Sequence, residues 1–447
     1  MFQKSAQHIR NSRRARRQVF AGAAMPERFA IGVSEPKRLD VLLLAGLVFA
    51  LSLFNYLHDV AKIVMESDFV DYGHYYLFAT AAAKHLDLFG PDVLAQVGEV
   101  GRLIHAAGEP VYPPFFYLLM TPLTGLPYEA STWMWMAMSH AFLLGAMWFC
   151  VGRHPEASVT RLLVATLIVL TYQPIKETLF LGQTNLLMLA LAAAAWWALR
   201  RDRPGLAGVM VALAVSNKIQ FGLLIPLLWW MGYRNAAVRS SLALAVMTGM
   251  AWMWFGTEHF VQYARYVSVY SHDLAAWSMN MAPRALFYRL LGATAEGRLL
   301  AEALWLAGAA LLLLLVAFVT GSVEGRGGYR LDWGWGIGLT AVLLISPMSE
   351  EHHLVVLLLP LLLIALSAPL QELTGRDWAV LIATLVLLGG RYSFEQIPPL
   401  HQGLASLVMS GKTVGMGLLL WMLVERLRAV GQRETTQRDW QQKACAA

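Results

Sequence analysis

The chain has 447 residues, 57% hydrophobic and only 14% charged, with a mean hydropathy of +0.51. Soluble domains carry roughly 25% charged residues, so this composition excludes an ordinary soluble protein and fits an integral membrane protein. Of the net charge of +6, residues Met1–Arg38 supply +7 (nine Lys/Arg against Glu27 and Glu35), leaving −1 for the remainder; without aromatic interleaving or a recognisable module, that basic tail argues against nucleic acid as partner.

The tail, residues 1–40, precedes the first apolar run, Val41–Leu57. The positive-inside rule expects it in the cytoplasm, and the late start of the run, with no small-residue cleavage site after it, predicts a retained anchor rather than a signal peptide. Cys150 and Cys445 imply neither a disulfide framework nor a metal site. Further apolar stretches begin near residues 113, 131, 160, 185, 204, 219, 238, 298, 333, 353, 377 and 403. The basic clusters Arg200–Arg203, Arg234 with Arg239, Arg326 with Arg330, and Arg426, Arg428 and Arg433 are assigned to the cytoplasm, which puts both termini inside and makes the number of crossings even. Pro113–Leu126, short and interrupted by Pro122 and Gly125, is read as a re-entrant or surface helix. The expectation is therefore an all-α integral membrane protein with about twelve transmembrane helices over residues 41–424, a first outer loop at 58–112, and a polar, disordered cytoplasmic tail at 425–447.

The loops with unusual polar residues fall on the outer side. The first, His58–Tyr112, contains eight acids, three Lys/Arg and four histidines. On a helix, Asp68, Tyr72 and Tyr75 share a face at i, i+4 and i+7, where a carboxylate among rings keeps enough basicity to take a proton from a hydroxyl; Asp71 is close enough to assist or substitute. The diproline in YPPFFYLL fixes an extended approach to a helix. In LGQTN, the amides of Gln183 and Asn185 either bind sugar hydroxyls or cap the next helix. Lys218 interrupts the apolar run Leu206–Trp230, where it either meets a lipid phosphate or snorkels to the interface. Asn280, Arg284 and Arg289 precede the next long span; the arginines either bind phosphate through paired hydrogen bonds or are ordinary interfacial arginines. In SPMSEEHHLVVLLLP, four consecutive residues, Glu350–His353, do not all face one ion on regular structure, so no metal is expected; a histidine donating to a phosphate leaving group fits better.

In order, DFVDYGHYY, YPPF, LGQTNLLMLAL, AGVMVALAVSNKIQFGLLIP, NMAPRALFYRLLG and SPMSEEHHLVVLLLP resemble glycosyltransferase family 87 over about Asp68–Pro360. The resemblance implies the C-type membrane glycosyltransferase fold with a helical first outer loop. It also implies inverting transfer of a hexose, typically mannose, from a polyprenyl-phosphate sugar to a glycan or glycolipid hydroxyl at the outer face of the plasma membrane. Asp68 then maps best to the base, with Asp71 as the alternative. Lys218, His352, His353 and Arg284 hold the donor phosphate, and Tyr72, Tyr75, Gln183, Asn185, Asn280 and Glu351 contact sugar or acceptor. No cofactor or metal is required. Glu350 stands where the family often has an aromatic residue. A lipid-linked glycan flippase and a polysaccharide polymerase are the rival readings.

Overall fold

The computed structural model describes residues 38–90, 93–97, 109–153, 158–321, 328–367, 374–392, 394 and 396–446. The basic tail before residue 38, and the part of the first outer loop at 98–108, lie outside them. All regular structure among the described residues is helical. In chain order the helices are α1 (Arg38–Glu66), α2 (Val70–Ala83), α3 (Val93–Val97), α4 (Pro114–Met120), α5 (Tyr128–Arg153), α6 (Val159–Thr171), α7 (Gln173–Leu181), α8 (Asn185–Arg200), α9 (Pro204–Asn217), α10 (Leu224–Trp230), α11 (Arg234–Asp273), α12 (Pro283–Leu291), α13 (Ala295–Gly321), α14 (Gly328–Ile345), α15 (Leu358–Ser367), α16 (Gly375–Gly389) and α17 (Gly411–Ala446). Two compact units divide at Ala50; the first, Met1–Ala50, is described only from the start of α1, and the second, Leu51–Ala447, holds the site.

Five helical segments among the described residues are long and apolar enough to cross a membrane: Leu43–Glu66, Tyr128–Gly152, Arg234–Asp273, Ala295–Gly321 and Gly403–Gln432. The pair α6 and α7, bent by 44°, makes a sixth if it counts as one span. The break falls at Tyr172, before Pro174, whose ring suits the first turn of a new helix but not the interior of an old one. Twelve crossings exceed this count because Asn185–Arg200, Pro204–Asn217, Ile219–Trp230 and Glu351–Ser367 have only 10–17 residues, short of the roughly 17–25 that cross as straight helix. Glu351–Ser367 is buried throughout, and from Leu354 to Leu366 it is apolar all round, as expected of a helix in the interior. Around it, α8 and α9 pack on each other, α9 against α11, α8 against α5, and α14 against α17.

Two boundaries differ from the sequence reading. Helix α1 continues to Glu66, past Leu57 at which the first apolar run ends. The expected disordered tail after Val424 is instead helix to Ala446, consistent with a stretch free of proline and rich in Arg, Gln, Glu and Ala, which have high helix propensity.

Candidate active site

Asp71 owes its position to a turn just ahead of α2. The Ser67 hydroxyl accepts from the Phe69 amide at 3.0 Å and donates to the Phe180 carbonyl, and Phe69 takes the left-handed conformation at φ 46 and ψ 51. The helix therefore begins at Val70. Asp71 lies in its first turn, where the helix dipole favours a carboxylate, whereas Asp68 is exposed upstream of it. The predicted i, i+4, i+7 face of Asp68, Tyr72 and Tyr75 does not form, because Asp68 is not on the helix.

Gln183 reaches Asp71 through a second turn. Helix α7 ends on Gly182 at φ +70, and a Cβ there would lie 2.6 Å from the Cβ of Tyr72. Only glycine permits both the backbone and that approach, and the Trp135 indole donates to the Gly182 carbonyl at 2.8 Å. The next residue then enters the site. Gln183 Nε2 donates to Asp71 Oδ2 at 2.8 Å, while its Oε1 lies 2.8 Å from the Tyr75 hydroxyl and 2.9 Å from that of Tyr112. The two hydroxyls are 2.7 Å apart. Two phenolic donors fix the amide oxygen toward the tyrosines, so its NH2 must face the carboxylate. The diproline delivers Tyr112: Pro113 is extended at ψ 143, Pro114 starts α4, and the Tyr117 hydroxyl accepts from the Tyr112 amide at 3.2 Å.

A third turn brings Lys218. Helix α9 ends at Asn217, whose Oδ1 accepts from Thr184 of the LGQTN turn at 3.0 Å, and Lys218 follows in extended conformation. Its side chain is only 6% exposed, with Nζ 5.6 Å from the centroid of the Tyr112 ring. No hydrogen bond or ion pair holds it among the described residues. Burial pushes this ammonium toward its neutral form, opposed by the charges of Glu350 and Asp71, and pushes the Glu350 carboxyl up.

Glu350 and His353 come from the fourth turn. Asn280 clamps it: its Oδ1 accepts from the amides of Ala282 and Ser349 at 3.0 and 3.1 Å, and its Nδ2 donates to the carbonyls of Leu274 and Pro347. Residues Glu351–Leu357 are 3-10 helix, and the three-residue repeat returns His353 to the side of Glu350. The Glu350 amide donates to His353 Nδ1 at 3.1 Å, leaving Nε2 to carry the ring proton. Potential ligand atoms of Glu350, His352 and His353 lie within 4.8 Å of one another, so three of the four consecutive residues face one point while Glu351 turns away to Lys412.

Asp71, Tyr75, Tyr112, Gln183, Lys218, Glu350 and His353 thus line one cavity of about 490 Å³, closed on another side by Tyr263, Tyr266 and Tyr270 of α11. Burial raises the Asp71 carboxyl to about 6, with the Gln183 hydrogen bond and the Lys218 charge acting to lower it. An acid in that range is ionised near neutrality yet basic enough to accept a proton.

The other expected residues lie elsewhere. Tyr72 is fully buried against Trp135, its hydroxyl on Ser131. Asn185 is the first residue of α8, not its cap, and its buried Nδ2 has no partner among the described residues. Asn280 is consumed by the clamp. Arg284 forms paired hydrogen bonds to Glu302 and two to Ser271, and Arg289 donates to the carbonyls of Trp277 and Asn280. Glu351 faces a smaller cavity and pairs with Lys412 at 3.1 Å. His352 Nδ1 is 3.8 Å from Glu350, and its buried Nε2 has no partner among the described residues. Sequence reasoning did not select Glu350; its departure from an aromatic residue in the resembled motif was the available signal.

Residues 111–347 match the family described as Glycosyltransferase family 87, a stretch containing Tyr112, Gln183 and Lys218. Two curated relatives are each named polyprenol-phosphate-mannose-dependent alpha-(1-2)-phosphatidylinositol pentamannoside mannosyltransferase. That of Mycobacterium tuberculosis (strain CDC 1551 / Oshkosh) is 27% identical over 296 residues, 64% of this chain and 65% of the relative. That of Mycolicibacterium smegmatis (strain ATCC 700084 / mc(2)155) is 27% identical over 337 residues, 70% and 76% of the two. The matched part of the chain thus spans about 65% of the first relative's length.

Proposed function

The chain belongs to glycosyltransferase family 87, and from that premise we propose that it transfers a hexose, with inversion, from a polyprenyl-phosphate sugar to an acceptor hydroxyl at the extracytoplasmic face of the plasma membrane. The relatives' names favour mannose. The observation that carries the reading is the convergence on one cavity of a hydrogen-bonded acid, Asp71, and a buried ammonium without an anionic partner in contact, Lys218.

The Asp71 carboxylate takes the acceptor proton as that oxygen attacks C1 of the sugar. The bond from C1 to the phosphate oxygen breaks on the opposite face, which inverts the anomeric centre, and polyprenyl phosphate departs with the electron pair. Lys218 and the Nε2 proton of His353 meet the charge that develops there. Gln183 positions the base. Because it donates to the carboxylate, replacing it by leucine is expected to raise the Asp71 pKa above about 6. Activity needs the ionised form, so the acid limb of kcat/KM should move to higher pH; an unmoved limb would remove Gln183 from this role.

The five long helices, the bent pair, the four shorter apolar helices, α14 and α16 together make twelve crossings, with the shorter ones tilted or shielded by neighbours. Every turn supplying the cavity (Ser67–Asp71, Gly182–Gln183, Lys218 and Ser346–Glu350) then lies on one side, opposite the basic loops, with both termini in the cytoplasm. Transfer is expected to persist in excess EDTA: Lys218 acts electrostatically on Glu350, His352 and His353 and opposes a second cation there. Activity lost to EDTA and restored by a divalent ion would instead make those three residues ligands.

The deciding experiment supplies purified protein with radiolabelled polyprenyl-phosphate mannose and mannoside acceptors. Appearance of one added hexose with inverted configuration supports the reading. Movement of intact lipid-linked sugar across a vesicle without bond formation would identify a flippase, and transfer only of preassembled oligosaccharide a polymerase.

A further inference from the structure

A second cavity, of about 260 Å³, opens between the end of α2 and the bend in α11, lined by His85, Asp87, Trp254, Glu258, His259 and Gln262. Resting on the glycosyl-transfer reading above, we propose that it is a carbohydrate subsite: the acceptor is an oligosaccharide, and sugars remote from the reacting hydroxyl occupy this cavity.

Helix α11 supplies the connection. Its backbone leaves helical geometry at Gly256, φ 79 and ψ 174, and beyond that break Glu258, Gln262, Tyr266 and Tyr270 recur at i, i+4, i+8 and i+12, forming one stripe. The first two line the second cavity and the last two line the catalytic one. Twelve residues of helix rise about 18 Å, room for more than one sugar ring. Helix α2 runs the same course, from Asp71 and Tyr75 on the catalytic cavity toward His85 just beyond its end. Phe89 bridges the two, its ring centroid 4.9 Å from that of His259 and 6.4 Å from that of Tyr266.

The lining selects a neutral polyol. Trp254 stacks with His85 at 4.4 Å and Phe255 with His259 at 4.7 Å, giving flat apolar surface for the carbon faces of sugar rings. Glu258 and Gln262 have no hydrogen-bond or ion-pair partner among the described residues, which leaves acceptors and an amide donor for hydroxyls. Among the described residues no Lys or Arg lines the cavity, and the carboxylates of Asp87 and Glu258 repel an anionic lipid headgroup. The carboxylates and imidazoles do not converge as those of Glu350, His352 and His353 do, which disfavours a metal ion. His85 sits at φ 55, a strained backbone for a side chain of its size.

The test compares the full-length protein with Gln262→Ala, at a half-buried position, and Glu258→Ala, at an exposed one, using mannotetraose and methyl mannoside as acceptors. The expected result is a KM for mannotetraose raised about tenfold, the effect of roughly 1.4 kcal/mol, with kcat and the KM for methyl mannoside unchanged. Saturation-transfer NMR with mannotetraose, which needs no turnover, should lose contact to its remote rings in both variants. Equal changes for both acceptors, or no change in either measurement, would overturn the subsite. Absence of transfer to any acceptor by the unaltered protein would overturn the enzymatic reading, while the NMR contact would still decide the carbohydrate subsite.

Discussion

Asp71→Asn is expected to lower kcat by roughly 10²–10⁴-fold, the range for loss of a general base, while donor binding stays intact. The substitution is nearly isosteric, and the asparagine oxygen can still accept from Gln183, so the Tyr75–Tyr112–Gln183 cluster keeps its geometry. What disappears is the proton acceptor. Asp68→Asn provides the contrast: that carboxylate is exposed and does not line the cavity, so the variant should retain most of its activity. The two variants are compared in single-turnover transfer from labelled polyprenyl-phosphate mannose, with donor affinity measured separately. A dead Asp68→Asn beside an active Asp71→Asn would reverse the assignment. The pH profile adds a second check, since activity should fall as pH drops through about 6, where Asp71 takes up its proton.

The choice between those two acids shows where sequence reading stops. Helical spacing pointed to Asp68 because it assumed helix from Ser67 onward. What prevents that is a left-handed Phe69 held between Ser67 and the Phe180 region, 113 residues away in sequence. Phenylalanine has no propensity for that backbone, so no local pattern announces it. The diproline and LGQTN were legible as turns because proline and glycine restrict or permit backbone conformations by themselves. What the turns aim was not legible. Arg284 of the fifth motif and Glu351 were read as substrate contacts, yet their partners Glu302 and Lys412 lie 18 and 61 residues away. A buried charge is available only if nothing else in the fold neutralises it, and that condition is tertiary.

Lys218 meets the condition, and Lys218→Met should reveal it by moving activity and stability in opposite directions. An ammonium 6% exposed and bonded to no carboxylate destabilises the empty protein. Methionine has similar length, no charge and an apolar stem that suits the surroundings. The melting temperature in detergent should therefore rise, because the desolvation of an unbonded ammonium is removed, while Asp71 and Glu350, which lose its charge, hold their protons more tightly. Transfer should fall by about 10²–10³-fold, as when one preorganised stabiliser of developing charge is removed, with Lys218→Arg recovering part of the loss because its charge persists. Arg284→Gln should behave in the opposite sense: it breaks the Glu302 pairing, so stability falls while donor KM holds. A less stable Lys218→Met protein with unaltered donor KM would mean that the lysine supports the fold, and the phosphate would have to be held by His353 and its neighbours without it.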